Sequence, residues 1–386
     1  MAEPHEQRNA VRTLTKLLEL SQRGLLPATF VPALSNLQTT LADDPCVRCH
    51  LLALSHDELG VIFDGVADPL QPELAVFFSS TCKGLRIPLR AALDVLRQLH
   101  AHAAALGQRM ESSCAQVRRF ETLELGDNPE YTLLDFRADE MTTIGMLLSF
   151  MPVLDGLFFE GNTSVGDVGV QALCEAMRRG CAPSLRTLFL SGVQFGPAGA
   201  ATLAAAIGRG AMPKLEHLML SVNPIGVQGA AALAAPLRKL PALKMLCLRR
   251  CNIGDEGVTS LVAGIGKDDF KALVQLELDG NGLTEKGCAT IAAAIESGAM
   301  RELLLVYATR DGSQQVVDDA VQRFRFEPRV EAMLRAEDQL TTNTIFEKLE
   351  RASGLRATAL KKNRGPIILS AIANMVEKLN LMTIPG

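Results

Sequence analysis

Five times between Val153 and Gly287 the chain repeats one pattern, L-x-x-L-x-L-x-x-N-x-I-G-x-x-G-x-x-x-L. The clearest copy begins at Leu215 and continues through Leu218, Leu220, Asn223, Ile225, Gly226, Gly229 and Leu233. The others begin at Leu154, Leu185, Leu243 and Leu273, so the period is 28 to 31 residues. A unit of that size cannot cover its own apolar side chains, so the copies must stack against one another. Burying a leucine contributes roughly 1.5–3 kcal/mol, and only a neighbouring unit makes that burial complete. An array of this kind makes binding, rather than catalysis, the expected function.

Within each copy the leucines first recur at the spacing of a short strand, and the second half has helical spacing. In the Leu215 copy, Leu215, Leu218, Leu220, Ile225 and Leu233 are expected to point inward. The turn residues Asn162, Asn223 and Asn281 can hydrogen-bond backbone groups after each strand and so form a ladder. Val193 and Cys251 take that place in two copies, at a cost on the order of 1 kcal/mol for a missing bond. The paired glycines, such as Gly254 and Gly257, permit a tight turn into the helix. Alanine-rich helices, such as the one through Ala200 to Ile207, are slim enough to pack closely. Phe120, Leu123, Leu125 and Asn128 give the strand half of an earlier unit, whose helix is expected over Met141 to Phe150. Met300, Leu303 and Leu305 give one more strand, followed by a helix from Asp311 to Gln322. The array thus spans residues 117–325 in about seven units.

A period of this length with I-G-x-x-G resembles the leucine-rich repeat, in its ribonuclease-inhibitor-like form. The resemblance implies an α/β right-handed horseshoe, with parallel strands inside, helices outside and α-helical segments at both ends. It specifies a fold and not a function, because unrelated partners dock on the same scaffold. Partner choice is expected on the concave face, where strand side chains between the leucines project. One row reads Phe158, Phe189, Met219, Cys247, Glu277 and Leu304, and a second reads Glu160, Ser191, Ser221, Arg249, Asp279 and Val306. A third contributes Thr187, His217, Met245, Gln275 and Glu302. The candidate partner-binding residues are therefore Phe158, Phe189, Met219, His217, Arg249, Glu277 and Asp279. The apolar start of the first row, bordered by polar residues, marks a protein-binding surface; its alternative is contact with the chain's own N-terminal helices. The Ran GTPase-activating protein shares this repeat form, which would make Arg249 or Arg250 the active arginine, but the C-terminus here is basic where that family's is acidic.

The flanking segments read as helical. Residues 1–50 hold an amphipathic stretch from Asn9 to Leu20, then Pro27, Pro32 and Pro45. Residues 51–112 carry Leu54, Glu58, Leu59, Ile62 and Phe63, with Cys82, Lys83 and Arg86 downstream. This segment resembles the F-box, with Ser55 and Leu85 where that family has proline and tryptophan. The resemblance implies docking of Leu54, Leu59, Ile62 and Phe63 on the Skp-type adaptor of a cullin ubiquitin ligase. Its alternative is a helical cap over the open end of the array. Residues 327–386 are expected to form helices at Arg329 to Ala336, Thr344 to Ala352 and Ile367 to Leu379. Basic residues gather between 351 and 378, at Arg351, Arg356, Lys361, Lys362, Arg364 and Lys378. The stretch from Thr342 to Val376 resembles the DEK C-terminal domain, which implies nucleic-acid association; a C-terminal cap is the alternative.

Composition narrows the rest. With aromatic residues at 4% and no Trp, the core must be built from Leu, Ala, Val and Ile. A formal charge of -4 gives no global pull toward nucleic acid or membrane. No run approaches the ~18 apolar residues of a membrane span, and the polar start of the chain argues against an export signal. Nine cysteines, an odd number at irregular spacing, then read as reduced thiols in the cytoplasm or nucleus. Cys46, Cys49 and His50 have the spacing of a haem attachment or half a zinc site, but a second ligand pair is missing. No cofactor or metal is expected, and the oligomeric state stays open. There is no P-loop, G-x-S-x-G or H-E-x-x-H. His217 could neighbour Ser191 and Ser221, but Glu277 and Asp279 stand two strands away. At a strand spacing near ~4.8 Å that is roughly 10 Å, too far to orient a catalytic histidine.

Overall fold

The computed structural model describes Phe63 and residues 67–80, 89–125, 136–309, 312–336, 341–353 and 359–378. These residues form two units, divided between Arg119 and Phe120.

The first unit contains α1 (Glu73–Ser80), α2 (Arg90–Arg109) and α3 (Cys114–Val117). Leu93, Leu96, Ala103 and Leu106 fall on one side of α2 and are buried, and the helix runs on past His102. Ser113 starts α3 with a reciprocal cap: its backbone N–H donates to Gln116 Oε1, and its hydroxyl accepts from the Gln116 N–H. Phe63 is 2% exposed. Leu54, Leu59, Ile62, the Cys82 to Arg86 stretch, Cys46, Cys49, His50 and the leader 1–50 lie outside the described residues.

The second unit is a leucine-rich-repeat solenoid. Its strands are β1 (Thr122–Glu124), β2 (Gly156–Phe158), β3 (Thr187–Phe189), β4 (His217–Met219), β5 (Met245–Cys247), β6 (Gln275–Glu277) and β7 (Leu305–Tyr307). They pair in chain order, all parallel, in one open sheet. Between them lie α4 (Ala138–Leu147), α5 (Gly166–Ala176), α6 (Pro197–Gly208), α7 (Gly226–Arg238), α8 (Gly254–Val262) and α9 (Glu285–Glu296). Each helix packs beside the next. Leu157, Leu188, Leu218, Leu246 and Leu276 share one register and are buried between sheet and helices.

The asparagine ladder forms, and it joins neighbouring repeats. Asn223 Nδ2 donates to Leu220 O at 2.8 Å in its own repeat and to Leu190 O at 2.7 Å in the one before. Its Oδ1 accepts the Phe195 N–H at 3.3 Å. Asn281 does the same with Leu278 O and Leu248 O, at 2.5 and 2.6 Å. Cys251 is only a partial gap in this ladder, since its thiol donates to Leu220 O at 3.3 Å.

The two glycines of I-G-x-x-G have different work. The first takes a left-handed backbone, with φ of 51°, 65° and 56° at Gly166, Gly226 and Gly254, as the turn requires. The second lies inside the helix, where the need is for close packing. An added Cβ at Gly229 would lie 2.6 Å from Ile225 Cγ2 and 3.0 Å from Ala200 Cβ.

The sequence boundary expected near residue 326 does not exist as a break. The helix α10 (Gln314–Val321) runs through a π-helical turn, Gln322–Phe326, directly into α11 (Glu327–Ala336). The wider turn contains Arg325, whose buried guanidinium donates to Ile295 O in the last turn of α9 and to Ala299 O and Met300 O in the turn that follows. Burial lowers its pKa to about 10. The unit closes with α12 (Thr342–Ser353) and α13 (Ala359–Lys378). Ile345, Phe346 and Leu349 of α12 and Ile368, Ile372 and Met375 of α13 are buried, so these helices bury apolar faces in the same unit. No helix among the described residues is long and apolar enough to cross a membrane.

Candidate functional site

Side chains alternate along each strand, so residues flanking the buried central leucine stand on the other, concave face. Strand register fixes the rows. The middle row is Glu124, Phe158, Phe189, Met219, Cys247, Glu277 and Tyr307. The strand-entry row is Thr122, Gly156, Thr187, His217, Met245, Gln275 and Leu305.

The expected rows hold through β6 and fail at β7. Gln275 pairs with Leu305 and Glu277 with Tyr307, so the concave residues are Leu305 and Tyr307, not Glu302, Leu304 and Val306. Leu304, Leu305 and Val306 are all buried and only Tyr307 is partly exposed, so it is the strand pairing that selects the frame. The expected register is displaced by three residues, an odd number, and so turns every side chain to the opposite face. The repeat period contained the right frame: Leu303 follows Leu273, and Val306 then takes the place of Leu276.

The first half of the face is apolar. The rings of Phe158 and Phe189 stack with centroids 5.5 Å apart and planes at 26°, both partly exposed, and Met219 continues the row. Such a pair contributes about 0.5–1.5 kcal/mol beyond its buried area. Gly156 makes room for it, because an added Cβ there would lie 2.5 Å from Cε2 of Phe158. Sequence reading missed Gly156 and Glu124, since its rows began at β2 or β3.

The second half is polar and internally paired. Arg249 donates through Nη2 to Asp279 Oδ2 at 3.1 Å, with its Nε 2.5 Å from Asp279 Oδ1 and its Nη1 3.7 Å from Glu277 Oε2. Gln275 Nε2 donates to Glu277 Oε1 at 2.5 Å. Burial, with Glu277 beside it, pushes the Cys247 thiol far above its ordinary range, so it is no thiolate nucleophile. Arg249 is thus held by two carboxylates rather than free on a loop, whereas Arg250 is exposed.

His217 lies between these halves, its Nδ1 3.4 Å from Thr187 Oγ1. Burial lowers its pKa. Ser221 Oγ accepts the Arg249 N–H at 3.3 Å, and Asp279 and Glu277 are engaged with Arg249. The structure therefore brings together Arg249, Glu277 and Asp279 as one cluster and Phe158 and Phe189 as another. Among the described residues no group of three His, Cys, Asp or Glu side chains could hold a metal ion.

Beside the face, at the residue entering each strand, runs an alternating chain of charges. Arg186 Nε lies 3.3 Å from Asp155 and 3.8 Å from Glu216, which accepts from Lys244 at 2.7 Å. These exposed pairs satisfy one another and contribute little stability. The two cations and two carboxylates of this chain cancel.

A family model described as Leucine Rich repeat matches residues 211–234 and 241–262, the units of β4 and β5. No curated protein matches the chain.

Proposed function

We propose that this leucine-rich-repeat solenoid is a protein–protein interaction module that holds a protein target on its concave face. The stacked pair Phe158–Phe189, partly exposed on a sheet face and continued by Met219, supports this most directly. Aromatic anchors surrounded by polar groups are what interface centres are made of. The test is to replace Phe158, Phe189 and Met219 together with serine and compare recovered partners with those of the wild-type chain.

The finer proposal is an F-box-type substrate-recognition subunit of a cullin ubiquitin ligase, in the cytoplasm or nucleus. The order of parts supports it, with the F-box-like segment first and the repeats second. Leu54, Leu59, Ile62 and Phe63 would insert into the Skp-type adaptor. Co-purification with that adaptor should be lost in the Leu59→Asp plus Ile62→Asp variant; equal recovery would defeat the assignment. A stand-alone scaffold or sensor with helical caps is the second reading. The burial of Phe63 favours it, since an anchor for a partner is expected at the surface. Deleting the residues before Ser112 then yields an aggregating solenoid rather than a soluble one that has lost its adaptor.

A further inference from the structure

Asp155, Arg186, Glu216 and Lys244 stand on four successive rungs at the strand entrances, each tied to the next through the backbone. The Arg186 N–H donates to Asp155 O, the Glu216 N–H to Arg186 O and the Lys244 N–H to Glu216 O, each at 2.8 Å. The rungs are therefore spaced as neighbouring strands are, at about 4.8 Å. The side chains of Asp155, Arg186 and Lys244 are 52%, 55% and 50% exposed, and that of Glu216 is 19% exposed. Glu121 occupies the rung before Asp155, and Val274 the rung after Lys244. Three residues before each of the four charges lies a proline: Pro152, Pro183, Pro213 and Pro241, all exposed. A proline ring has a fixed φ and no N–H, so the rim is stiff there and offers no stray donor. Ser184 joins two of these turns by donating to Pro152 O at 2.7 Å.

Signs that alternate over an even number of rungs invert when the order is reversed. Here the order is minus, plus, minus, plus, and a two-fold rotation lays it against plus, minus, plus, minus. Asp155 then faces Lys244 of a second copy, and Arg186 faces Glu216 of that copy. All four contacts join opposite charges, and Glu121 meets Val274 rather than another carboxylate. An interface between identical chains about a two-fold axis must be self-complementary in this way. A foreign partner would have to match the alternation, whereas a second copy already carries it. We propose that the rim bearing Asp155, Arg186, Glu216 and Lys244 is a contact between two copies of this chain. The two-fold axis passes between the rungs of Arg186 and Glu216. Each charge then has opposite charges along its own rim and across the contact, so no internal pair has to be broken. Four rungs span about 15 Å, short of the roughly 800 Å² per partner of a stable dimer, so the association is weak and screened by salt. The contact uses none of Phe158, Phe189 and Met219, so it stands or falls apart from partner capture on the concave face.

Sedimentation equilibrium of the full chain, at about 50 and about 500 mM salt, reads the association directly. The wild type should dimerise at low salt, with a dissociation constant that rises roughly fivefold or more at high salt. Arg186→Glu sets like charges against each other at the two central contacts, as does Glu216→Arg. Each variant alone should be monomeric. An equimolar mixture of the two restores every opposite pair and should dimerise as the wild type does. Asp155→Lys and Lys244→Glu make the same exchange at the outer rungs, and serve if a central variant loses the wild-type thermal midpoint. A wild type that stays monomeric at low salt, single variants that still dimerise, or mixtures that fail to do so would overturn the proposal.

Discussion

Asp167 of one repeat caps the helix of the next, through Gly199. Its Oδ1 accepts the N–H of Gly199 at 2.6 Å and that of Gly196 at 2.8 Å, at the start of α6, which has no side-chain cap of its own. A carboxylate there also opposes the positive end of the helix dipole. Gly199 is required by the approach, since an added Cβ would lie 2.8 Å from the same oxygen. Asp255 repeats the arrangement with Thr284, whose N–H and hydroxyl donate at 2.9 and 2.6 Å. Asp167→Ala is expected to cost about 1 kcal/mol, within the range for lost caps. Gly199→Ala should cost more in the wild type than in the Asp167→Ala background. Urea melts of the four chains in this double-mutant cycle measure the difference; strict additivity would show that the cap and the glycine are independent.

Acid should weaken the same joint at Asp255. Its hydrogen bond from the Thr284 hydroxyl, followed by the backbone N–H groups of Thr284 and Gly287, holds its pKa below the ordinary aspartate value. Stability from such a group is present above the unfolded value of about 3.9 and is lost as pH falls through the lower folded value. The stability gap between wild type and Asp255→Asn should therefore close as urea melts are moved from pH 6 to pH 2. His217 acts in a higher window, because burial lowers its pKa. Its contribution is full above about 6.5 and is lost as pH falls through the folded value. His217→Gln should show a smaller decline in stability than wild type between pH 7 and pH 5.

The ladder position predicts a graded pair of variants. Asn223→Ala removes hydrogen bonds to Leu190 O, Leu220 O and the Phe195 N–H, all inside the solenoid. With each orphaned buried group costing about 1–3 kcal/mol, the loss should be about 3 kcal/mol or more. Cys251→Ala removes a single-proton donor with a weak thiol and should cost about 1 kcal/mol. Comparable midpoints for the two variants in denaturant would argue against the ladder as the principal joint between repeats.

Val222 sits under strain at the rim of the concave face. It has φ of 59° and is 48% exposed, while Gly161, Gly192 and Gly280 hold the equivalent place in other repeats with φ of 78°, 70° and 77°. A β-branched residue in this region costs about 1–2 kcal/mol, against which glycine's extra freedom when unfolded is worth about 0.5–1 kcal/mol. Val222→Gly should therefore stabilise the chain by roughly 0.5–1 kcal/mol, read as a raised thermal midpoint. A lowered midpoint would show that the valine side chain contributes more than its backbone costs.

What was legible in the sequence is what repeats. Leu215, Leu218 and Leu220 give strand and burial because every unit must solve the same packing problem, and the rows from β2 to β6 follow from it. The reading slipped where a unit departs from the pattern. At β7 the leucines at 303, 304 and 305 offer three frames, and only pairing of Tyr307 with Glu277 selects one. Gly156 carries no signal by itself, because its purpose is to make room for a ring two residues away. The Asp167 cap crosses a repeat boundary, so neither motif copy contains it whole. Arg325 was equally hidden, since its acceptors lie in the preceding repeat, at Ile295 in the last turn of α9 and at Ala299 and Met300 in the turn that follows.

Recognition of a protein through the concave face is tested most directly by partner capture from three chains: wild type, Phe158→Ser/Phe189→Ser/Met219→Ser, and the convex-side control Thr202→Asp. All three must first show the same thermal unfolding within a few degrees. The account predicts that the partners recovered with wild type remain with the control and fall at least tenfold with the triple variant. Undiminished recovery by the triple variant would contradict it.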